Sequence, residues 1–341
     1  QLAELEVRNA FIREVFGRYI TDEVVNTLLE SPEGRQLGGE RRTITILLSD
    51  LRGFSTLCEG LGPEQVLQIL NIYLGAMADV IGEYRGSINE FIGDAILAVF
   101  GAPVQQEDHP ERAVACALAM QRAMSRVNAE LAEHGLPALE MGIGVHTGEV
   151  VVGNIGSNRR AKYGVVGRHV NLTSRIESYT IGGQLLVSGS TAAVVGDRLH
   201  VRDRFEVRPK GVREPITIFD VCGVDGPLAI HLDTATSRRR TFATPQPITF
   251  ATLEGKDAGG LEHPALLLGI DDQHNAELRA EVCPPIRTDL KIVLAELPGV
   301  DAYAKVLVSR DGALTIRFTA FPRPLADHLA ALPDLPVPGD A

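Results

Sequence analysis

Apolar positions along the first two thirds of this chain fall into two kinds of run. Short, nearly continuous apolar stretches occupy residues 43–48 (Thr-Ile-Thr-Ile-Leu-Leu), 87–92 and 95–100, each bounded by turn residues. Such stretches predict strands buried in a sheet. Between and after them the spacing changes to that of a helix. Val66, Leu70, Leu74, Met77 and Ile81 share one helical face after Gly62-Pro63-Glu64, and an Ala-rich stretch predicts a second helix from about Pro110 to Ala132. Strands and helices in β-α-β-β-α-β order predict an α/β sandwich with one mixed sheet.

The ends of the chain read differently. In residues 1–30, Leu2, Leu5, Ile12, Val15, Phe16 and Tyr19 recur at near-helical spacing, and Thr21-Asp22-Glu23 caps a second helix that Ser31-Pro32-Glu33-Gly34 stops. Residues 227–247 read as a connecting segment. From 248 to 322 short strand-like runs separated by turn residues predict a small β-barrel. The last residues, rich in Pro and Ala, are expected to fray. The boundaries expected are thus 1–40 for the helical segment, 41–224 for the α/β domain, 225–247 for the linker, 248–325 for the barrel and 326–341 for a flexible tail.

Composition narrows the function classes. The chain has 341 residues, is 45% hydrophobic and carries a formal net charge of −11. It can build cores, and its acidity argues against a nucleic-acid binder. Arg238-Arg239-Arg240 reads as a solvated linker or turn. Cys58, Cys116, Cys222 and Cys283 form no CxxC pair, so reduced thiols in a cytoplasm are expected rather than zinc ligands or disulfides. No run approaches the ~18 apolar residues of a membrane span. The first residue is Gln1, and the chain reads as a fragment whose upstream part could carry a sensor.

The candidate chemistry sits at strand ends. Asp50 closes the apolar run 43–48, and Asp94 sits at a Gly-Asp turn between runs 87–92 and 95–100. Two carboxylates at strand ends suit a two-metal phosphoryl site, whose ions sit about 3.5–4 Å apart. Hard oxygen ligands select Mg²⁺ or Mn²⁺. Gly53-Phe54-Ser55-Thr56 follows Asp50 at a helix start, where free amides suit phosphates, although no Gly-Lys-Ser/Thr of a Walker A loop is present. Asn171 and Arg175 lie four apart after Gly167 and project from one helix face.

These segments, with 141–156 (Met-Gly-Ile-Gly-Val-His-Thr-Gly-Glu-Val-Val-Val-Gly-Asn-Ile-Gly), 163–175 and Lys210-Gly211 followed by Glu214-Pro215-Ile216, resemble the catalytic domain of the class III nucleotidyl cyclases over about residues 41–222. The resemblance implies the palm-like, ferredoxin-like α+β cyclase sandwich. It implies conversion of a nucleoside triphosphate to its 3′,5′-cyclic monophosphate and pyrophosphate. Asp50, Asp94 and the Leu51 carbonyl would hold two Mg²⁺ or Mn²⁺ ions. Gly53, Phe54, Ser55, Arg159 and Lys210 would bind phosphates, with Arg160 able to replace Arg159. Asn171 would orient the ribose and Arg175 would stabilise charge on the transferring phosphate. The family splits these groups between two subunits, which implies a homodimer with sites at the interface. The helices at 1–40 would pass a signal into the enzyme.

Base choice falls on Glu90, four residues before Asp94, and on Gly164, seven before Asn171. Adenylyl members carry Lys and Asp there. A carboxylate at 90 can accept from guanine N1–H and its exocyclic amine, whereas it cannot donate to adenine N1. Glu90 therefore favours GTP, while Gly164 offers no side chain to guanine O6. The alternatives are an adenylate cyclase using ATP, or a catalytically silent nucleotide-binding or scaffold module. The barrel resembles a PilZ-type domain that has lost its cyclic di-GMP motifs. Phe242, Ala243 or Thr244 replaces the second Arg of the Arg-x-x-x-Arg motif, and Asp271-Asp272-Gln273-His274-Asn275 stands for the Asp-x-Ser-x-x-Gly motif. A barrel without that ligand, used for docking or regulation, is expected.

Overall fold

The computed structural model describes residues 37–157, 160–209, 212, 214–233, 237–253 and 261–335. The expected helices of 1–30 lie outside them. The described residues form two compact units, one made of 37–51 and 63–233, the other of 52–62 and the described residues from 237 on.

In the first unit the long strand β1 (Gly38–Leu51) lies at the centre of a sheet. It pairs antiparallel with β3 (Ala95–Phe100) on one side and with β4 (Met141–Ser157) on the other. Strand β2 (Ser87–Ile92) forms a hairpin with β3, and β5 (Arg160–Val166) folds back on β4. Strand β6 (Leu185–Ser188) runs parallel to β4, followed outward by β8 (Ile216–Val224) and β7 (Leu199–Val207). A two-residue strand β9 (Ile230–His231) extends β8. The sheet order is β2-β3-β1-β4-β6-β8-β7, which is the mixed sheet expected from the sequence. Residues 44–49 of β1 are all buried. That is why they read as a continuous apolar run rather than an alternation: both faces of the strand are covered.

Helix α1 (Phe54–Glu59) is short and belongs to the second unit. Helices α2 (Pro63–Glu83) and α3 (His109–Glu133) pack against one another, and α3 also packs on β1, β3 and β4. The buried face of α2 is Ile69, Tyr73, Met77, Val80 and Ile81, whereas Val66, Leu70 and Leu74 are half-buried. The helix is thus rotated from the expected Val66–Leu70–Leu74 face. The physical reason is Tyr73, which is 0% exposed and satisfies its hydroxyl inside, on Met141 Sδ at 3.3 Å and Ser49 Oγ at 3.4 Å. Contrary to the expectation from apolar runs, α2 is by length and composition apolar enough to cross a membrane, but five of its residues are buried in this unit.

Helix α4 (Arg168–Ser178) lies across β1 and β4. Its approach is set by Gly144: a Cβ there would lie 2.6 Å from the Glu177 backbone nitrogen. Beneath α4, Ile176, Leu186, Phe205, Val207 and Ile218 form one cluster. Helix α5 (Gly189–Val195) follows β6 and is capped by Ser188, whose Oγ accepts from the Thr191 N–H.

The second unit contains a closed barrel in the order β10-β11-β12-β15-β14-β13. The strands are β10 (Arg239–Thr252), β11 (His263–Asp271), β12 (Asn275–Ala280), β13 (Asp289–Leu294), β14 (Asp301–Arg310) and β15 (Ala313–Ala320). Closure removes every sheet edge. β10 begins inside the segment read as a linker. Arg239 and Arg240 are strand residues there, ion-paired with Glu277 and with Asp334 (2.9 Å), not a solvated turn. Residues 323–331, partly assigned to a frayed tail, form α6 (Arg323–Ala331). Leu325 and Leu329, four apart, bury themselves in the barrel core beside Phe242 and Phe318. That apolar burial orders a segment whose Pro and Ala content alone suggested fraying. All four cysteines are free; Cys116 is buried and the others are half-buried.

Candidate active site

The carboxylates meet because β1 and β3 are neighbours. The register pairs Ser49 with Ile96, so the end of β1 runs alongside the β2–β3 turn. At that turn Gly93 has φ 65°, a conformation glycine takes without strain, and Asp94 follows it. Asp94 Oδ2 accepts a hydrogen bond from the Leu51 backbone N–H at 3.1 Å, which brings Asp94, Leu51 and Asp50 together at one sheet end. Both aspartates are half-buried. Burial pushes the Tyr73 hydroxyl well above its ordinary pKa, and the charges of Asp50 and Asp94 push it further the same way. Tyr73 therefore stays protonated beneath the pair. The donor set is all oxygen, from two carboxylates and the adjoining Leu51 carbonyl, and it fits Mg²⁺ or Mn²⁺.

A second cluster forms on β2 and β5. The β2–β3 ladder shifts register between Ile88 and Glu90. A bulge of this kind re-aims the side chain beside it. Glu90 Oε2 lies 2.9 Å from Lys162 Nζ, both about half exposed. Gly164 is buried two residues beyond Lys162 on the same strand, and a Cβ at Gly164 would lie 3.5 Å from Asn89 Oδ1. Glu90 thus pairs with Lys162, two residues before Gly164 on β5. Lys162 was not anticipated. The signal available was its i, i+2 spacing to Gly164, which puts both on one face of a strand.

Asn171 and Arg175 occupy successive turns of α4, Asn171 exposed and Arg175 half-buried. Gly53, Phe54 and Ser55 lie at the start of α1, where Gly53 has φ 68°. Arg159 and Lys210 lie outside the described residues.

A buried polar network adjoins the start of α4, and the sequence reading did not single it out. His146 on β4 is 4% exposed. Its Nδ1 is 2.8 Å from Ser188 Oγ and its Nε2 is 2.7 Å from His169 Nδ1. Burial, reinforced by His169, pulls the His146 pKa down to about 4, so the ring is neutral at pH 7. Gly148 leaves room for this pair: a Cβ there would lie 2.3 Å from His169 Nδ1.

Residues 39–221 match the adenylate and guanylate cyclase catalytic domain family. Adenylate cyclase 1 of Rhizobium meliloti (strain 1021) is 32% identical over 211 residues, which is 61% of this chain and 32% of the relative. An adenylate cyclase of Anabaena cylindrica is 32% identical over 218 residues, covering 60% of this chain and 42% of the relative. The chain therefore spans less than half the length of these curated relatives. Among solved structures, the guanylyl cyclase Cya2 is 57% identical with TM-score 0.57, covering 58% of this chain and 100% of that one. The adenylyl cyclase CyaB from P. aeruginosa is 35% identical with TM-score 0.53, covering 56% and 97%.

Proposed function

The chain belongs to the adenylate and guanylate cyclase catalytic domain family, and from that premise we propose that it is a homodimeric, two-metal cyclase that favours GTP. The observation that carries the reading is the meeting of Asp50, Leu51 and Asp94, with the Leu51 N–H fixing one oxygen of Asp94. When bound, two divalent ions there would lower the pKa of the ribose 3′-hydroxyl and neutralise the triphosphate. Asp50, Asp94 and the Leu51 carbonyl would hold them.

The other roles follow from position. The 3′-oxygen forms a bond to the α-phosphorus while the bond to the bridging oxygen breaks and pyrophosphate leaves. Arg175 supplies a fixed guanidinium for the charge on the transferring phosphate, and Asn171, one turn earlier, orients the ribose. Gly53, Phe54 and Ser55, with Arg159 and Lys210, are assigned to the phosphates. Exposure of Asn171 on a single chain supports a site completed by a second copy. So do the exposed apolar side chains on β2, β4 and β5: Phe91, Ile92, Val151, Ile155 and Val166 are 39–54% exposed. Val151 and Val166 face one another across the β4–β5 ladder. Apolar surface of this kind marks an association face.

Guanine is favoured by Glu90 and Lys162 together. Glu90 can accept from guanine N1–H and the exocyclic amine. Lys162, held within 2.9 Å of that carboxylate, supplies the donor for O6 that Gly164 cannot. Adenine offers neither the N1–H that Glu90 accepts from nor the O6 that Lys162 donates to, so both contacts are lost with ATP. The high likeness to a guanylyl cyclase structure supports GTP, whereas the curated relatives named adenylate cyclases support ATP as the second reading. The test is turnover of GTP and ATP with Mn²⁺ by the chain and by Asp50→Ala. Cyclic GMP as main product, abolished in Asp50→Ala, is expected. Cyclic AMP as main product would overturn the base assignment, and no product from either would overturn the catalytic reading.

A further inference from the structure

His200, Asp225 and His231 form the one cluster among the described residues in which three or more His, Cys, Asp or Glu side chains converge with metal-binding geometry; their ligand atoms all lie within 4.8 Å of one another. The cluster is built by three adjacent strands. The β7–β8 register pairs His200 with Gly223, and the β8–β9 register pairs the same Gly223 with His231. The two histidines therefore stand on either side of a glycine. Across a middle strand their backbones would be about 9.5 Å apart, twice the strand spacing. The rings nevertheless close to 4.6 Å between centroids by leaning over Gly223. That approach needs the glycine, because a Cβ at 223 would lie 2.2 Å from His231 Nδ1. Asp225, two residues beyond Gly223, aims at the same point. Its Oδ2 is 2.8 Å from His200 Nε2 and its Oδ1 is 3.0 Å from His231 Nε2. The Asp225 N–H donates to the Arg198 carbonyl at 2.9 Å, which anchors the backbone of the carboxylate.

We propose that His200, Asp225 and His231 form a binding site for a borderline divalent cation of the Zn²⁺ class, separate in chemistry from the carboxylate pair at Asp50 and Asp94. Two imidazole nitrogens and one carboxylate oxygen are the donors that suit Zn²⁺, with ligand distances of about 2.0–2.2 Å and an open position for water. Mg²⁺ prefers an all-oxygen octahedral shell and is poorly served here. The same contacts without an ion are two N–H···O bonds to one carboxylate, and the neighbouring imidazoles hold the Asp225 carboxyl below its ordinary range. An ion in place of those two protons needs only small ring shifts. Bound there, it would clip β9, the last strand of the first unit, to β7 across β8.

The test is a calorimetric titration of tag-free protein with Zn²⁺ in excess Mg²⁺, which occupies oxygen-only sites. The visible spectrum of the Co²⁺-loaded chain reports nitrogen ligation. One Zn²⁺ per chain is expected, weakened about tenfold or more in His231→Ala, in Asp225→Asn and in Gly223→Val, and unchanged in His134→Ala at the C-terminal cap of α3. Zn²⁺ should raise the melting temperature of the parent chain and not that of Asp225→Asn, a near-isosteric change that keeps the fold testable. Absence of saturable Zn²⁺ binding, or equal affinity in the parent, His231→Ala and Asp225→Asn, would overturn the site.

Discussion

His146 gives a pH dependence of stability whose sign and size follow from its burial. The ring is 4% exposed and its pKa in the folded chain is pulled to about 4, against about 6.5 for a histidine in an unfolded chain. Between these values the unfolded chain takes up a proton that the folded chain refuses. Stability is therefore full above pH 6.5 and falls as pH drops towards 4, at up to about 1.4 kcal/mol per pH unit. The loss assignable to this one ring is about 2 kcal/mol at pH 5 and approaches 3 kcal/mol at pH 4. His146→Gln removes the titrating group while keeping a donor and an acceptor for Ser188 and His169. It will cost some stability at pH 7, since a planar ring is lost from a packed site, but its profile should be flatter. The assay is urea denaturation followed by far-ultraviolet circular dichroism at pH 7, 6 and 5, since the chain contains no Trp. The transition of the first unit should weaken by about 2 kcal/mol more in the parent than in His146→Gln between pH 7 and 5. Parallel profiles, differing by less than about 0.5 kcal/mol, would refute the claim that this ring is neutral because it is buried.

Three further outcomes are expected. Lys162→Ala should lower kcat/KM for GTP about tenfold, the equivalent of about 1.4 kcal/mol, and leave ATP unaffected; steady-state kinetics with both nucleotides check it, and an equal loss for both would remove Lys162 from base reading. Gly144→Ala should destabilise the first unit by about 1–3 kcal/mol, because the added methyl meets the Glu177 backbone at 2.6 Å. It should lower cyclase turnover beyond that effect by displacing α4 with Asn171 and Arg175, which single-turnover rates below the melting transition measure. Leu329→Ala should cost the barrel about 2–5 kcal/mol, because the side chain is 2% exposed in the barrel core; urea unfolding of the chain checks it, and a neutral result would mean that α6 is not part of that core.

The parts of this fold that were legible in the sequence are those in which a local pattern and a global demand coincide. Residues 44–48 read as a strand because a central strand covered on both faces is buried at every position, and all but Thr45 are apolar. Asp50 and Asp94 stood out because a carboxylate that ends such a run has few structural reasons to be there. The barrel was legible because each of its strands must bury one face and turn sharply. The rotation of α2 was not, because Tyr73 counts as a partly polar residue until a partner for its hydroxyl is known, and that partner, Met141, is 68 positions away. Helix α6 was hidden for a similar reason. Leu325 and Leu329 form too short a stripe to outweigh the surrounding Pro and Ala until the barrel core is there to receive them.

The same distinction separates the two functional clusters. The carboxylate pair is announced by two segments that each carry their own turn and strand signals. The Glu90–Lys162 pair and the His200–Asp225–His231 cluster have no such local signal, since each partner taken singly is an unremarkable polar residue. Both exist only through register: a bulge that turns Glu90 towards β5, and a glycine on β8 that stands opposite a histidine on each neighbouring strand. A one-residue slip would send each of these side chains to the other face of the sheet. For Gly223 the sequence does carry a consequence that can be read afterwards: a glycine inside a strand weakens it, and it is tolerated where something must come close. Here the group that comes close is His231.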